Sequence, residues 1–159
     1  MKVQDAMTRN PAAIMPAANL AAATELMWKH DCGSLPVTDD TGKAIGIVTD
    51  RDMLIAVGTR NLRPSEITVG EVMTSPVFTC RPTDTIDAAL SKMNTRRIRR
   101  LVVATEDGKL AGMLTMNDIV LHSDRQAARD TAVPYDDVMM TLKGICDHGQ
   151  QPAARPTAA

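Results

Sequence analysis

Apolar positions along this chain keep two rhythms, one helical and one extended, and the order of those rhythms occurs twice. Leu20, Ala23 and Met27 fall at i, i+3 and i+7, as do Ile86, Ala89 and Met93, so each set makes one stripe of a helix. Asn19 and Thr85 stand just ahead of them, in N-cap position. Two extended apolar runs follow each helix: Leu35–Thr38 with Ala44–Thr49, and Leu101–Thr105 with Leu110–Thr115. Asp40-Thr41-Gly42 and Asp107-Gly108 supply hairpin turns between them, Asp-Gly being the stronger signal. A second helix starts at Thr49 or Thr115, and Gly58 is the expected C-cap of the first. Each copy opens on V-x-x-x-M-T, Val3 to Thr8 or Val69 to Thr74, followed by a proline-bounded extended stretch ending at Pro16 or Pro82.

The two copies are residues 3–54 and 69–120, offset by 66 positions, as from Thr49 to Thr115 or Gly46 to Gly112. Such a period predicts a pseudo-twofold object with clefts between its halves. A unit of about 60 residues buries only roughly 60% of its unfolded surface, so the halves are expected to share a core. The chain divides into a first repeat (1–60), a linker (61–68), a second repeat (69–124), an extension (125–148) and a tail (149–159). The linker follows from GTRNLRPSEI (58–67), which mixes turn residues with charge and has no period. In the extension, Pro134 precedes a helix from about Asp136 to His148 with Val138, Leu142 and Ile145 as its stripe. Nothing in the repeat calls for this helix, which assigns it to a neighbouring element or a subunit interface. The tail, GQQPAARPTAA, has the composition of a disordered segment.

Composition narrows the partners. The 159 residues carry 18 basic and 19 acidic side chains, a net charge of −1, which gives no reason to expect nucleic acid or an anionic membrane. No run approaches the roughly 20 apolar residues of a membrane span, and MKVQDAMTRNP lacks the apolar centre of a signal peptide. Cys32, Cys80 and Cys146 are odd in number and far apart, against a disulfide framework; a cytoplasmic home is expected. With 2% aromatics and 11 methionines, the core must be aliphatic and adaptable.

The candidate chemistry lies at the strand-to-helix junctions, Gly46-Ile-Val-Thr49-Asp-Arg-Asp52 and Gly112-Met-Leu-Thr115-Met-Asn-Asp118. Taken singly, Thr-x-x-Asp ahead of a helix is a capping box. The same atoms also suit a ligand: a helix N-terminus favours an anion, a carboxylate one turn in can accept from sugar hydroxyls, and the glycine permits close backbone approach. Two such junctions at one period weigh more than one. Cys146-x-His148 is too short of converging ligands for a metal site, and Trp28 reads as packing. No P-loop, G-x-G-x-x-G, G-x-S-x-G or Cys–His dyad is present, so no catalytic residue is assigned.

G-h-x-T-x-x-D after a strand, preceded by Leu35-Pro-Val37 or Leu101-Val-Val103 and opened by V-x-x-x-M-T, resembles the CBS domain, named from cystathionine β-synthase, over about residues 1–124. The resemblance implies an α/β (α+β) fold: two β-α-β-β-α repeats with pseudo-twofold symmetry, sheets back to back and helices outside, here with an extra C-terminal helix. It implies clefts for adenosine compounds, AMP, ADP or ATP ahead of NAD or S-adenosylmethionine, with no cofactor required. By motif match, Asp52 and Asp118 would hold ribose hydroxyls, and Thr49 and Thr115 ribose or phosphate. Pro36 and Ile47 would line the pocket, and Thr8, Ala13, Thr74 and Phe78 its adenine or ribose side. Basic residues ahead of the h-x-V strand reach phosphates in the opposite repeat's cleft; here they are Arg99 and Arg100 in the second copy, against Gly33 and Ser34 in the first. The clefts are therefore expected to be unequal, with the one on Asp52 favouring a phosphorylated ligand. The resemblance further implies a homodimer that passes ligand occupancy to an effector protein or its own oligomer, without chemistry of its own. The alternative is a ligand-free interaction scaffold whose junctions merely cap helices.

Overall fold

The structure is a computed structural model and describes residues 1–125 and 132–147. Helices form where the caps and stripes require. α1 spans Val3–Ala6 and β1 Thr8–Arg9; α2 (Leu20–Lys29) starts where the Asn19 side chain accepts from Ala22 N at 2.9 Å. After the antiparallel hairpin of β2 (Ser34–Thr38) and β3 (Ala44–Thr49) comes α3 (Asp50–Arg60). The second copy runs β4 (Thr79–Cys80), α4 (Ile86–Arg96), β5 (Arg100–Ala104), β6 (Leu110–Thr115) and α5 (Met116–Leu121). The α4 cap is Thr85, which accepts from Ala88 N at 3.2 Å. A short parallel pair, β7 (Ser123–Asp124) with β8 (Val133–Pro134), leads into α6 (Tyr135–Cys146).

The hairpins repeat each other in detail. Leu35 faces Val48 and Leu101 faces Leu114, and each hairpin carries a bulge before its turn. Gly42 and Gly108 sit at φ 81° and 84°, the left-handed region that glycine enters at little cost. The tips then join: Ala44 N donates to Gly108 O and Leu110 N to Gly42 O, both at 3.0 Å, tying the halves along the pseudo-twofold.

Sequence repeat and spatial unit do not coincide. Val3, fully buried, packs with Ile86, Met93, Leu101 and Leu114 of the second copy, and β1 pairs with β6 to give a sheet of order β1-β6-β5-β4. Val69 and Met73 pack in turn with Leu20, Leu35 and Val48 of the first copy, where Thr74 N donates to Ile47 O at 2.8 Å. Each opening segment thus completes the other copy. The motif glycines make room for it: a Cβ on Gly112 would lie 2.8 Å from Thr8 O, and one on Gly46 3.1 Å from Thr74 O.

Three expectations change. Gly58 does not cap α3; the helix continues to Arg60 and ends on Asn61 at φ 52°, since asparagine also tolerates the left-handed conformation. The linker is partly ordered by the first repeat: Pro64–Glu66 forms a 3-10 turn and Ile67 is fully buried. α6 begins at Tyr135 and buries Val138, Thr141 and Ile145, with Leu142 only partly covered, because it packs on α4 through that face. His148 and the tail lie outside the described residues.

Candidate functional site

Each junction is a reciprocal cap. In the first, Asp52 N donates to Thr49 Oγ1 at 3.2 Å, while Thr49 N and Thr49 Oγ1 donate to Asp52 Oδ2 at 3.1 and 2.7 Å. In the second, Asp118 N donates to Thr115 Oγ1 at 3.3 Å, and Thr115 N and Oγ1 donate to Asp118 Oδ2 at 2.7 and 2.6 Å. All four side chains are half-buried, so each carboxylate is held rigidly yet remains in reach of solvent.

The exchange of opening segments decides what faces each carboxylate. Thr8 arrives on β1 opposite Met113, and its Oγ1 donates to Asp118 Oδ1 at 3.2 Å. Its counterpart Thr74 lies beside Ile47, exposed. Across the first repeat the row continues: Ile47 opposes Pro36, and Ile14 N donates to Pro36 O at 3.1 Å, placing half-buried Ala13 at the far edge. Phe78 belongs to the second repeat, where its carbonyl accepts from Val102 N and its exposed ring lies under the Arg96 guanidinium, 5.0 Å from the centroid.

The two arginines part ways. Arg100, half-buried, sends Nη1 across to Gly33 O of the first repeat at 3.2 Å. Gly33 O also accepts from Asp50 N, the first residue of α3, so the guanidinium stands at the start of the helix that carries Asp52. Arg99 is exposed and turned to α6, its Nη2 4.0 Å from Cys146 Sγ. Ser34, 66 positions before Arg100, stands opposite Thr49 as Arg100 stands opposite Thr115, and it carries no guanidinium to send across. Asp50 is not one of the fixed residues of the Thr-x-x-Asp motif, and its Oδ2 stands 2.9 Å from the position a Cβ on Gly33 would take. Its place in the first helical turn was the only signal, and acids there ordinarily answer the helix dipole.

The Cys80 thiol is pushed up to about 11 by burial and then by the Asp84 charge, which leaves it a poor nucleophile. Among the described residues no group of three or more His, Cys, Asp or Glu could hold a metal ion. No helix there is long and apolar enough to cross a membrane. A cavity of 540 Å³ opens elsewhere, between α2 and α3, and reaches the junction only at Gly33 and Asp50.

The family model for the CBS domain matches residues 3–59 and again 69–124. The chain belongs to the CBS-domain family. It is a tandem pair, and hypoxic response protein 1 of Mycobacterium tuberculosis is 30% identical to it over 127 residues, 80% of this chain and 81% of that protein. A solved hypoxic response protein I, described with two coordinated zinc ions, matches with TM-score 0.69, covering 77% of this chain and 98% of that one. The CBS domain pair of MJ0100, in complex with 5'-methylthioadenosine and S-adenosyl-L-methionine, gives TM-score 0.70 at 26% identity, covering 76% and 94%. CBSX2 in complex with AMP gives 0.66 at 30%, covering 76% and 93%. The CBS pair spans about half (52%) of a Methanopyrus kandleri relative 34% identical over 101 residues, 62% of this chain.

Proposed function

We propose that this CBS pair is a non-catalytic regulatory module. It binds an adenosine-containing ligand in the cleft built on Asp52, and AMP, ADP or ATP suit that cleft better than NAD or S-adenosylmethionine. Occupancy passes to an effector protein or to a second copy of the chain, in the cytoplasm. The observation that carries this reading is the inequality of the junctions. Asp118 Oδ1 is engaged by Thr8, whereas the Asp52 cap uses only Oδ2, and Arg100 crosses from the second repeat to the same helix start. A carboxylate for ribose and a guanidinium for phosphate then border one cleft, and a ligand touching both repeats acts through its differential affinity for two arrangements of them. Complexes of similar CBS pairs with AMP and with S-adenosyl-L-methionine support the ligand class.

Calorimetric titration with adenosine, AMP and ATP, on the wild type and Arg100→Ala, tests it. Loss of a charge-assisted bond of about 1.5–3 kcal/mol weakens AMP and ATP roughly tenfold or more, and adenosine far less. Equal losses for all three would show that the guanidinium does not touch phosphate. Absence of binding by any adenosine compound would favour the second reading, a ligand-free scaffold, for which the complete capping boxes at both junctions speak.

A further inference from the structure

The outer groove of the first repeat, between α2 and α3, is apolar and uncovered among the described residues. Leu20, Met27, Met53 and Val57 line its floor, Asp31 and Asp50 stand at one end, and Pro64 lies at the other. On its rim Trp28 is 88% exposed and Leu54 73%. The equivalent groove of the second repeat is filled. There Val138 and Ile145 of α6 share a core with Ile86, Met93 and Ile119. The α6 backbone passes so close that a Cβ on Gly144 would collide with the Asn94 side chain. Asn94 is the residue 66 positions after Trp28. Pseudo-symmetry therefore marks the first groove as a seat for a helix.

α6 itself has a second apolar face. Tyr135, Met139, Leu142 and Cys146 fall at i, i+4, i+7 and i+11, and Tyr135 and Met139 are 51% and 53% exposed. Seat and face do not meet within one chain, since Trp28 and Met139 are both open. The two segments outside the described residues, QAARDT (126–131) and HGQQPAARPTAA (148–159), contain no large apolar residue to fill the seat. Charge agrees with a second copy as occupant. On its own repeat α6 runs antiparallel to α5, with Val133 bonded to His122 at the end of α5 and Cys146 beside Arg99, whose carbonyl accepts from Met116 at its start. The same direction on the first repeat would bring Lys143 to Asp31 and Asp50, and Asp136 to Arg63.

We propose that two copies of this chain associate by seating the outer face of α6 from each in the α2–α3 groove of the other. This rests on the self-association in the reading above and names its surfaces. A twofold pair contains the contact twice, which closes the assembly. It also places Cys146 of one copy near Cys32 of the other, because Cys32 lines the groove at the Asp31 end.

Sedimentation velocity of the full chain, with Trp28→Glu and Met139→Glu, provides the test. Both residues are exposed, so the monomer keeps its fold, checked by thermal unfolding. The wild type should be a dimer and each variant a monomer. An equimolar mixture of the two variants should recover dimer, because one of its two contacts is intact. A short bismaleimide on the wild type should give a dimer on a denaturing gel, joined Cys32 to Cys146. A dimer that survives Met139→Glu, or that cross-links Cys32 to Cys32, overturns the α6 seat and leaves self-association standing. A wild-type monomer throughout overturns both.

Discussion

Replacing Asp52 by asparagine separates two roles that its carboxylate combines. Oδ2 receives Thr49 N and Oγ1 as half of the helix cap, and Oδ1 takes no part in those bonds. An asparagine can keep its carbonyl on Thr49 and turn its amide to the cleft, so a donor replaces an acceptor where ribose hydroxyls would donate. Complete loss of a cap costs about 0.5–2 kcal/mol. The isosteric change should cost less, and each kcal/mol moves Tm by only about 2–4 °C in a chain of this size. Hydrogen bonds to a charged acceptor contribute about 1.5–3 kcal/mol, so Kd for AMP should rise roughly ten- to a hundredfold. Asp118→Asn is the internal reference, because Thr8 already occupies Oδ1 of that carboxylate at 3.2 Å, and it should disturb AMP much less. The measurement is calorimetric titration with AMP beside a melting curve. Wild-type AMP affinity in a folded Asp52→Asn protein, or equal losses at both aspartates, refutes the reasoning.

Other consequences concern stability. Gly112→Ala sets a Cβ 2.8 Å from the Thr8 carbonyl, and overpacking of this kind costs about 1–3 kcal/mol. Gly46→Ala should cost less, since Thr74 O stands 3.1 Å away and Met73 can move its flexible end; urea unfolding that reverses this order would contradict the segment exchange. Hydrogen bonds from the Thr41, Thr68 and Thr105 side chains are the largest cause holding the Asp39, Glu71 and Asp107 carboxyls below their ordinary values. Their contribution is complete above the unfolded range of about 4 and is lost as pH falls through the lower folded values. Urea midpoints should therefore be flat from neutrality to about pH 5 and decline below about pH 4, less steeply in Thr68→Val; an unchanged slope in that variant removes Glu71 from the account.

The helices, hairpins and caps were legible because each is specified within a few residues: the Leu20-Ala23-Met27 stripe behind Asn19, the Asp107-Gly108 turn, the Thr49–Asp52 and Thr115–Asp118 pairs. The constant offset of 66 likewise announced two equivalent units. Asn61 displaced Gly58 as the cap because two residues able to enter the left-handed region lay within one turn, and local preference does not rank them. Only the tertiary structure decided that Val3 belongs to the core of the second copy and Val69 to that of the first. Equivalent repeats present equivalent cores, and no local pattern says which one an opening segment will enter. The same long-range choice brings Thr8 to Asp118, carries Arg100 but not Arg99 to the first repeat, and lays α6 over α4 while Trp28 stays open. Local chemistry thus wrote the parts of each half, the arginine pair of only one among them, and packing across the pseudo-twofold decided what each part faces.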